Sequence, residues 1–327
     1  MNIVIFGAGG TGSAIGAYLA KAGEDVTFVA RGKHLEAIKE KGLLLKRSHE
    51  GDILINPAKA VSAEEYAENP DVIFVCVKYY SVEDAIDFLA KAAGESTLVV
   101  PILNVFGTGD VINKRLPNLT VLDGCIYIFA KILEAGVAEQ PEKIFRVIYG
   151  YRKNQPRKLE EKAVKLEKIL QDAGIRGHFS QNIERDALQK FAFISPMGAA
   201  GLYYNAVTDD FQKPGEVRDM FVGLIKEVVA VGNAMGITFE RDLVETGTTM
   251  MDAFKKGLNS SMQRDVLAGK SSEFDGLVRR VVKLGKEYDV ETPLYEKVAK
   301  WGDSKGLEVS SYFSFFSFFV KKEKKEK

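Results

Sequence analysis

The first residues able to do chemistry lie at the start of the chain. Gly7-Ala8-Gly9-Gly10-Thr11-Gly12 follows the apolar run Asn2–Phe6 and opens a helical pattern. A G-x-G-x-x-G run between a strand and a helix suits the pyrophosphate of a dinucleotide. Gly7 allows the tight turn, Gly9 lets the backbone approach the phosphates, and Gly12 lets helix and strand pack closely. Ala8, Gly10 and Thr11 complete the turn, and the helix start directs unbonded N–H groups and a positive dipole end at the ligand. All six residues are candidate cofactor contacts. The competing reading is a glycine turn with a structural purpose only.

The second apolar run, 26–29, continues into Ala30-Arg31-Gly32-Lys33. An NAD-selective site would place an acid near this strand end, to accept from the ribose 2′-hydroxyl. Two cations stand there instead. A guanidinium fork with an ammonium beside it suits a 2′-phosphate, so Arg31 points to NADP(H); solvated loop charges are the alternative. Lys78 follows the apolar run 72–77, and Asn104 follows 97–103. Ligands of open α/β sheets lie beyond the carboxyl ends of the strands. Each residue is therefore either a cofactor or substrate contact or an ordinary polar loop residue.

On a helical wheel over 183–197, Lys190 falls beside Ile183, Phe193, Ile194 and Met197. An ammonium in such surroundings snorkels, pairs with Asp186 four residues earlier, or is held for use as a proton donor. Glu273 opens a helix for which Ser272 reads as N-cap with Asp275 at N3. The helix dipole alone offers such a carboxylate about 0.3–1 kcal/mol, which is a full structural explanation. Ser260-Ser261 is equally compatible with a plain turn. Pro196 is expected to bend or end the helix that carries Lys190.

These residues need a scaffold. Apolar runs alternate with helical patterns at 11–22, 35–41 and 82–93, the signature of βαβ units and a doubly wound sheet. Further strands are expected within 121–133 and at 144–151, the latter antiparallel, then a charged helix at 158–172. From Asn182 onward the pattern is helical; Val217, Met220, Phe221, Leu224, Ile225, Val228 and Val229 form one apolar face. The expected fold class is an α/β Rossmann-type N-terminal domain (1–180) followed by an all-α C-terminal domain (181–305). A tail (306–327) contains an aromatic stretch and a Lys/Glu-rich end.

The 327 residues include 45 Lys+Arg and 45 Asp+Glu. This balance disfavours nucleic acid as a partner, because phosphate binding needs a basic excess. The 46% hydrophobic fraction argues against global disorder. Two cysteines in apolar runs and three scattered histidines offer neither a disulfide framework nor zinc-ligand spacing. Without a basic leader or a membrane-length apolar run, the expectation is a cytoplasmic protein with no membrane span. The tail is expected to pack on this or a neighbouring subunit or to be partly disordered, with an amphipathic surface anchor as the alternative; a homo-oligomer stays open.

From Met1 to about Trp301 the chain resembles the ketopantoate reductases (2-dehydropantoate 2-reductases). The likeness rests on Gly7 to Gly12, the Val-Ala-Arg-Gly ending at Gly32, Val75-Cys76-Val77-Lys78, Pro101 to Asn104, Leu188 to Phe191, and Ser260-Ser261-Met262 through Ser272-Glu273-Phe274-Asp275. It implies NADPH-dependent reduction of a 2-keto acid, with the active site in a cleft between two domains. By resemblance, Lys190 is the lysine that protonates the alkoxide. Glu273 is the active-site glutamate, which binds the substrate hydroxyl and helps position that lysine. Asn104 lies at nicotinamide and substrate, Ser261 at the substrate carboxylate, and Arg31 and Lys78 at NADP. The family often has Asn one helical turn after the lysine, where Ile194 stands here with Ser195 beside it. A further substrate Asn falls at Thr208, with Asn205 nearby, and the usual Asn-Gly is Asn104-Val105. Ser195 and Thr208 are thus the expected substitutes for two substrate amides, a change that should alter which 2-keto acid is accepted. The alternatives are reduction of another branched 2-keto acid and a non-catalytic NADP(H)-binding sensor.

Overall fold

The computed structural model describes residues 1–307; the aromatic and Lys/Glu-rich tail lies outside the described residues, apart from Gly306 and Leu307. Two compact units emerge. The first comprises Met1–Val77, Ser81–Leu103 and Gly107–Ala187. The second comprises Lys78–Tyr80, Asn104–Phe106 and the chain from Leu188 onward.

In the first unit, strands and helices alternate as β1 (Asn2–Phe6), α1 (Gly10–Lys21), β2 (Asp25–Val29), α2 (Gly32–Lys41), β3 (Leu43–Arg47), β4 (Ile53–Ile55), β5 (Lys59–Val61), β6 (Val72–Val75), α3 (Val82–Ala92), β7 (Leu98–Pro101), α4 (Thr108–Arg115) and β8 (Thr120–Val121). Six strands form an all-parallel sheet in the order β5-β2-β1-β6-β7-β8. This is the doubly wound dinucleotide-binding order, which reverses between β1 and β6. Ile3, Val4, Ile5 and all of β6 are buried, because helices on both faces keep water from a central parallel strand. Helix α1 lies so close to β2 that a Cβ on Gly16 would sit 2.2 Å from the Phe28 ring.

The unit continues with β9 (Asp123–Ile128), β10 (Lys131–Glu134), β11 (Val137–Gln140), β12 (Phe145–Gly150), α5 (Glu160–Asp172) and β13 (Arg176–Phe179). These strands join two smaller sheets, β10-β11-β3-β4 and β13-β12-β9. The antiparallel partner expected for 144–151 is β9; β12 also pairs in parallel with β13.

The second unit is helical: most of α6 (Ile183–Tyr204), then α7 (Thr208–Phe211), α8 (Glu216–Ala234), α9 (Leu243–Asp252), α10 (Ser261–Leu267), a π-helical turn Asp275–Arg279, α11 (Arg280–Glu287) and α12 (Pro293–Ser304). The apolar face of α8 is buried as its spacing predicts. The division differs from 180/181 in two ways. The first residues of α6 stay with the first unit, where Glu184 accepts from the Lys153 amide (2.8 Å) and Asp186 accepts from Ser180 Oγ (2.6 Å). Two three-residue segments, 78–80 and 104–106, belong to the helical unit. Pro196 does not end α6, which continues to Tyr204. Asn205 ends it, in the left-handed region at φ 50°. Among the described residues no helix is long and apolar enough to cross a membrane.

Candidate active site

Backbone builds the candidate cofactor cradle, in the first unit. Gly7 adopts φ +94°, and its amide and that of Ala8 both donate to Val29 O, tying the turn to β2. A Cβ on Gly12 would sit 2.2 Å from Gly7 O and 2.8 Å from Ile5 Cγ2, so only glycine lets α1 start this close to β1. Gly9 has nothing within 4 Å of where a Cβ would stand, which leaves open space on the ligand side. The first α1 backbone bond is from Ser13 N to Gly9 O (2.8 Å). The amides of Gly10, Thr11 and Gly12 therefore precede the helical ladder and are available to an anion. Ser13 Oγ braces the turn on Ala8 O at 2.9 Å. Gly10 has a second reason to be glycine: a Cβ there would meet the Lys131 backbone at 2.6 Å. These features fit a dinucleotide pyrophosphate.

Arg31 stands just after β2 at the N-cap of α2, with its side chain 84% exposed. Its ion pair to Asp84, at 3.8 Å, is exposed and weak. Nearby, His34 Nδ1 accepts from the Gly136 amide at 3.0 Å. Burial holds this imidazole below its ordinary pKa.

Side chains build a second candidate site, in the helical unit. Lys190 on α6 is buried at 7% exposure and donates to Asn104 Oδ1 at 2.8 Å. Glu273, 2% exposed, accepts from Lys78 Nζ (3.0 Å) and from the Tyr79 amide (3.3 Å). Lys78 also reaches Asp265 on α10 at 3.5 Å. Burial pulls the Lys78 ammonium down, but the Glu273 and Asp265 carboxylates outweigh it and hold its pKa above the usual value. Four residues picked out by sequence thus form two polar pairs, Lys190–Asn104 and Lys78–Glu273, in each of which one member is buried and the other half-buried. The resemblance implied that Glu273 helps position Lys190; its own partners here are Lys78 and the Tyr79 amide.

Other expectations are corrected. Ser195 is fully buried; its Oγ donates to Leu277 O (2.5 Å) and meets Tyr295 Oη at 2.5 Å. The Thr208 hydroxyl donates to Lys255 O (2.8 Å) and accepts from the Leu258 amide (3.1 Å), again fully buried. Both hydroxyls serve the fold, since a buried hydroxyl takes the nearest backbone partner. Ile194, one turn beyond Lys190, is half-buried. Ser260-Ser261 is no plain turn. Ser260 caps α10 in a capping box with Gln263, and Ser261 is the first helical residue. Ser272 does not cap the next helix: Glu273 O accepts the Leu277 amide instead, and Asp275 pairs with Arg279.

Sequence reasoning missed Asp265, Tyr79 and Tyr295. Asp265 lies four residues after Ser261 on one short helix, a spacing that puts both on one face. No local signal marks Tyr79, whose contribution is a backbone amide. Among the described residues no group of three or more His, Cys, Asp or Glu side chains could hold a metal ion.

Two family models match the chain: "Ketopantoate reductase PanE/ApbA" over residues 3–154 and its C-terminal counterpart over 182–301. The chain belongs to the ketopantoate reductase family. That family is one of oxidoreductases, and its Rossmann-plus-helical fold is the one described above. Among relatives of the family, an uncharacterized oxidoreductase of Bacillus subtilis is 28% identical over 311 residues, covering 91% of this chain and 96% of that protein. A 2-dehydropantoate 2-reductase of Pyrococcus horikoshii is also 28% identical, covering 90% and 94%. A crystal structure of 2-dehydropantoate 2-reductase from Methylococcus capsulatus superposes with a TM-score of 0.83 at 25% identity, covering 94% and 97%. A D-mandelate dehydrogenase solved with NADH and anilino(oxo)acetate shares the fold, with a TM-score of 0.81 at 22% identity over 93% and 98%.

Proposed function

We propose that this ketopantoate reductase homologue is an NADPH-dependent 2-dehydropantoate 2-reductase, reducing the C2 ketone of ketopantoate to pantoate for pantothenate and coenzyme A synthesis. The observation that carries this reading is the buried Lys190 ammonium held 2.8 Å from Asn104. Bound NADPH supplies a hydride to the ketone carbon. Lys190 donates to the carbonyl oxygen, stabilises the negative charge that builds there, and leaves its proton on that oxygen, giving the alcohol. Asn104 keeps the amine aimed, as a neutral acceptor that does not neutralise it. Glu273 accepts the substrate hydroxyl alongside its bond from Lys78, and Ser261 at the start of α10 takes the carboxylate. The cradle from Gly7 to Gly12 takes the pyrophosphate, and Arg31 takes the 2′-phosphate.

A second reading changes the substrate to another branched 2-keto acid. It is favoured by Ile194 one turn from Lys190 and by the backbone bonds that engage Ser195 and Thr208. Methyl groups then stand where amides would read a hydroxyl. The experiment is loss of NADPH absorbance on adding ketopantoate, then a series of 2-keto acids with apolar branches, repeated with NADH. Fastest turnover of ketopantoate supports the first reading, and turnover of a different acid alone selects the second. Tight NADPH binding with no turnover of any acid overturns both in favour of a sensor.

A further inference from the structure

The π-helical turn Asp275–Arg279 touches the segments that carry Lys78, Asn104 and Lys190, through Tyr79, Val105 and Ser195. In this turn the Arg280 amide reaches back five residues to Asp275 O, whereas the Leu277 amide reaches back four, to Glu273 O. Such local widening is uncommon and needs support from outside the helix. Three supports are visible. Leu277 O accepts from Ser195 Oγ at 2.5 Å. The serine proton is spent on that carbonyl, so Tyr295 Oη donates to Ser195 Oγ, also at 2.5 Å. Tyr295 is itself fixed, because the buried Glu227 carboxylate accepts from the Leu294 (2.7 Å) and Tyr295 (3.0 Å) amides at the start of α12.

Gly276 forms the other face of the turn. A Cβ there would stand 2.3 Å from Val105 Cγ2 and 2.9 Å from the Tyr79 ring. Val105 follows Asn104 and Tyr79 follows Lys78, so the bare glycine lets both short segments seat on the turn. The valine that replaces the family's usual glycine after Asn104 is thereby accommodated. Phe274 is received in turn by Gly302 on α12, where a Cβ would meet its ring at 2.3 Å.

We propose that the π turn is the positioning element that sets Lys190 and Asn104 against Glu273 and Lys78, and that Ser195, Tyr295 and Gly276 are its positioning residues; this rests on the reaction proposed above. Ser195 lies five residues after Lys190 on α6, and Glu273 lies two residues before the turn. One serine–tyrosine pair therefore couples the helix of the proton donor to the carboxylate. A displacement of about 1 Å in such a site costs roughly 100-fold in rate. Neither hydroxyl touches substrate or cofactor in this account.

The test compares Ser195→Ala and Tyr295→Phe with the full-length parent, by kinetics with whichever 2-keto acid the parent reduces and by crystallography. We expect kcat to fall roughly 10- to 100-fold in Ser195→Ala and less in Tyr295→Phe, with KM for NADPH within about twofold of the parent. A side chain serving stability alone would lower the melting temperature and leave kcat of the folded protein unchanged. Crystals of Ser195→Ala should show residues 275–279 returned to four-residue bonding and the Glu273 carboxylate off the Tyr79 amide. If Ser195→Ala does not fold, Tyr295→Phe, which keeps the ring volume, carries both measurements. An unchanged kcat, or an intact π turn with Glu273 still on the Tyr79 amide, overturns the proposal. If the parent reduces no 2-keto acid, the proposed reaction fails, and the crystallographic outcome still decides the positioning claim.

Discussion

The glycine cradle and the Lys190 cluster are both polar sites, yet they are assembled in opposite ways. Six consecutive residues make the cradle, and its candidate ligand groups are main-chain amides placed by one turn and one helix start. The cluster draws on residues 78–79, 104, 190, 265 and 273, and its working groups are side chains. A backbone site tolerates changes of side chain but not of volume. A side-chain site tolerates neither the loss of a charge nor a shift of the elements that hold it. Substitutions in the two regions should therefore separate binding from chemistry.

The largest separation is expected from Lys190→Ala. Turnover should fall roughly 10²- to 10⁴-fold, while NADPH affinity, read by fluorescence titration, stays within about twofold. An active variant would remove the proton donor from the account. The cradle should divide internally. Gly9→Val enters open space at φ −71°, so its melting temperature should match the parent while NADPH binding weakens at least about 10-fold. Gly12→Ala drives a methyl into Gly7 O and should lower stability itself by about 1–3 kcal/mol. A Gly9→Val variant with parental NADPH affinity would mean the open space is not the phosphate site.

A smaller effect is expected at Arg31, whose exposure predicts a stability change within about 0.5 kcal/mol on truncation. Arg31→Ala should weaken NADPH roughly 10-fold and leave NADH unchanged; equal losses would exclude a 2′-phosphate contact. The smallest effect concerns His34. Burial holds its pKa below 6.5 in the fold, so the unfolded chain takes up the proton more readily. Its contribution to stability is complete above about pH 6.5 and declines as pH falls below that value. Melting temperatures between about pH 8 and pH 5 should show the decline, and His34→Gln should flatten it. An identical profile in the variant would assign the acid sensitivity to other groups.

Strands β1, β2, β6 and β7 of the doubly wound sheet were legible as apolar runs beside a contiguous glycine turn, whereas the edge strand β5, Lys59–Val61, was not. The smaller sheets were harder to read. β3, β4 and β11 are three to five residues long, and β10 is exposed along its whole length, so no burial pattern marks it. Lys190, Asn104, Lys78 and Glu273 were each legible as candidates, whereas the pairing of Lys78 with Glu273 across 195 residues was not. Ser195 and Thr208 show the limit most clearly. Their hydroxyls were visible in the sequence, but the direction of each depends on which carbonyl packing brings within 3 Å. Asp265 had only its spacing from Ser261 to mark it, and Tyr295 had no local signal.

Periodicity and the glycine spacing by themselves determined the doubly wound α/β class of the first half, the helical second half and the glycine turn, because each follows from spacing along the chain. Tertiary structure alone decided which cation faces which carboxylate, which hydroxyls remain available to a substrate, and that residues 275–279 form a π turn. Those outcomes depend on contacts between segments up to about two hundred residues apart, where hydrogen-bond geometry selects among partners that no local pattern ranks.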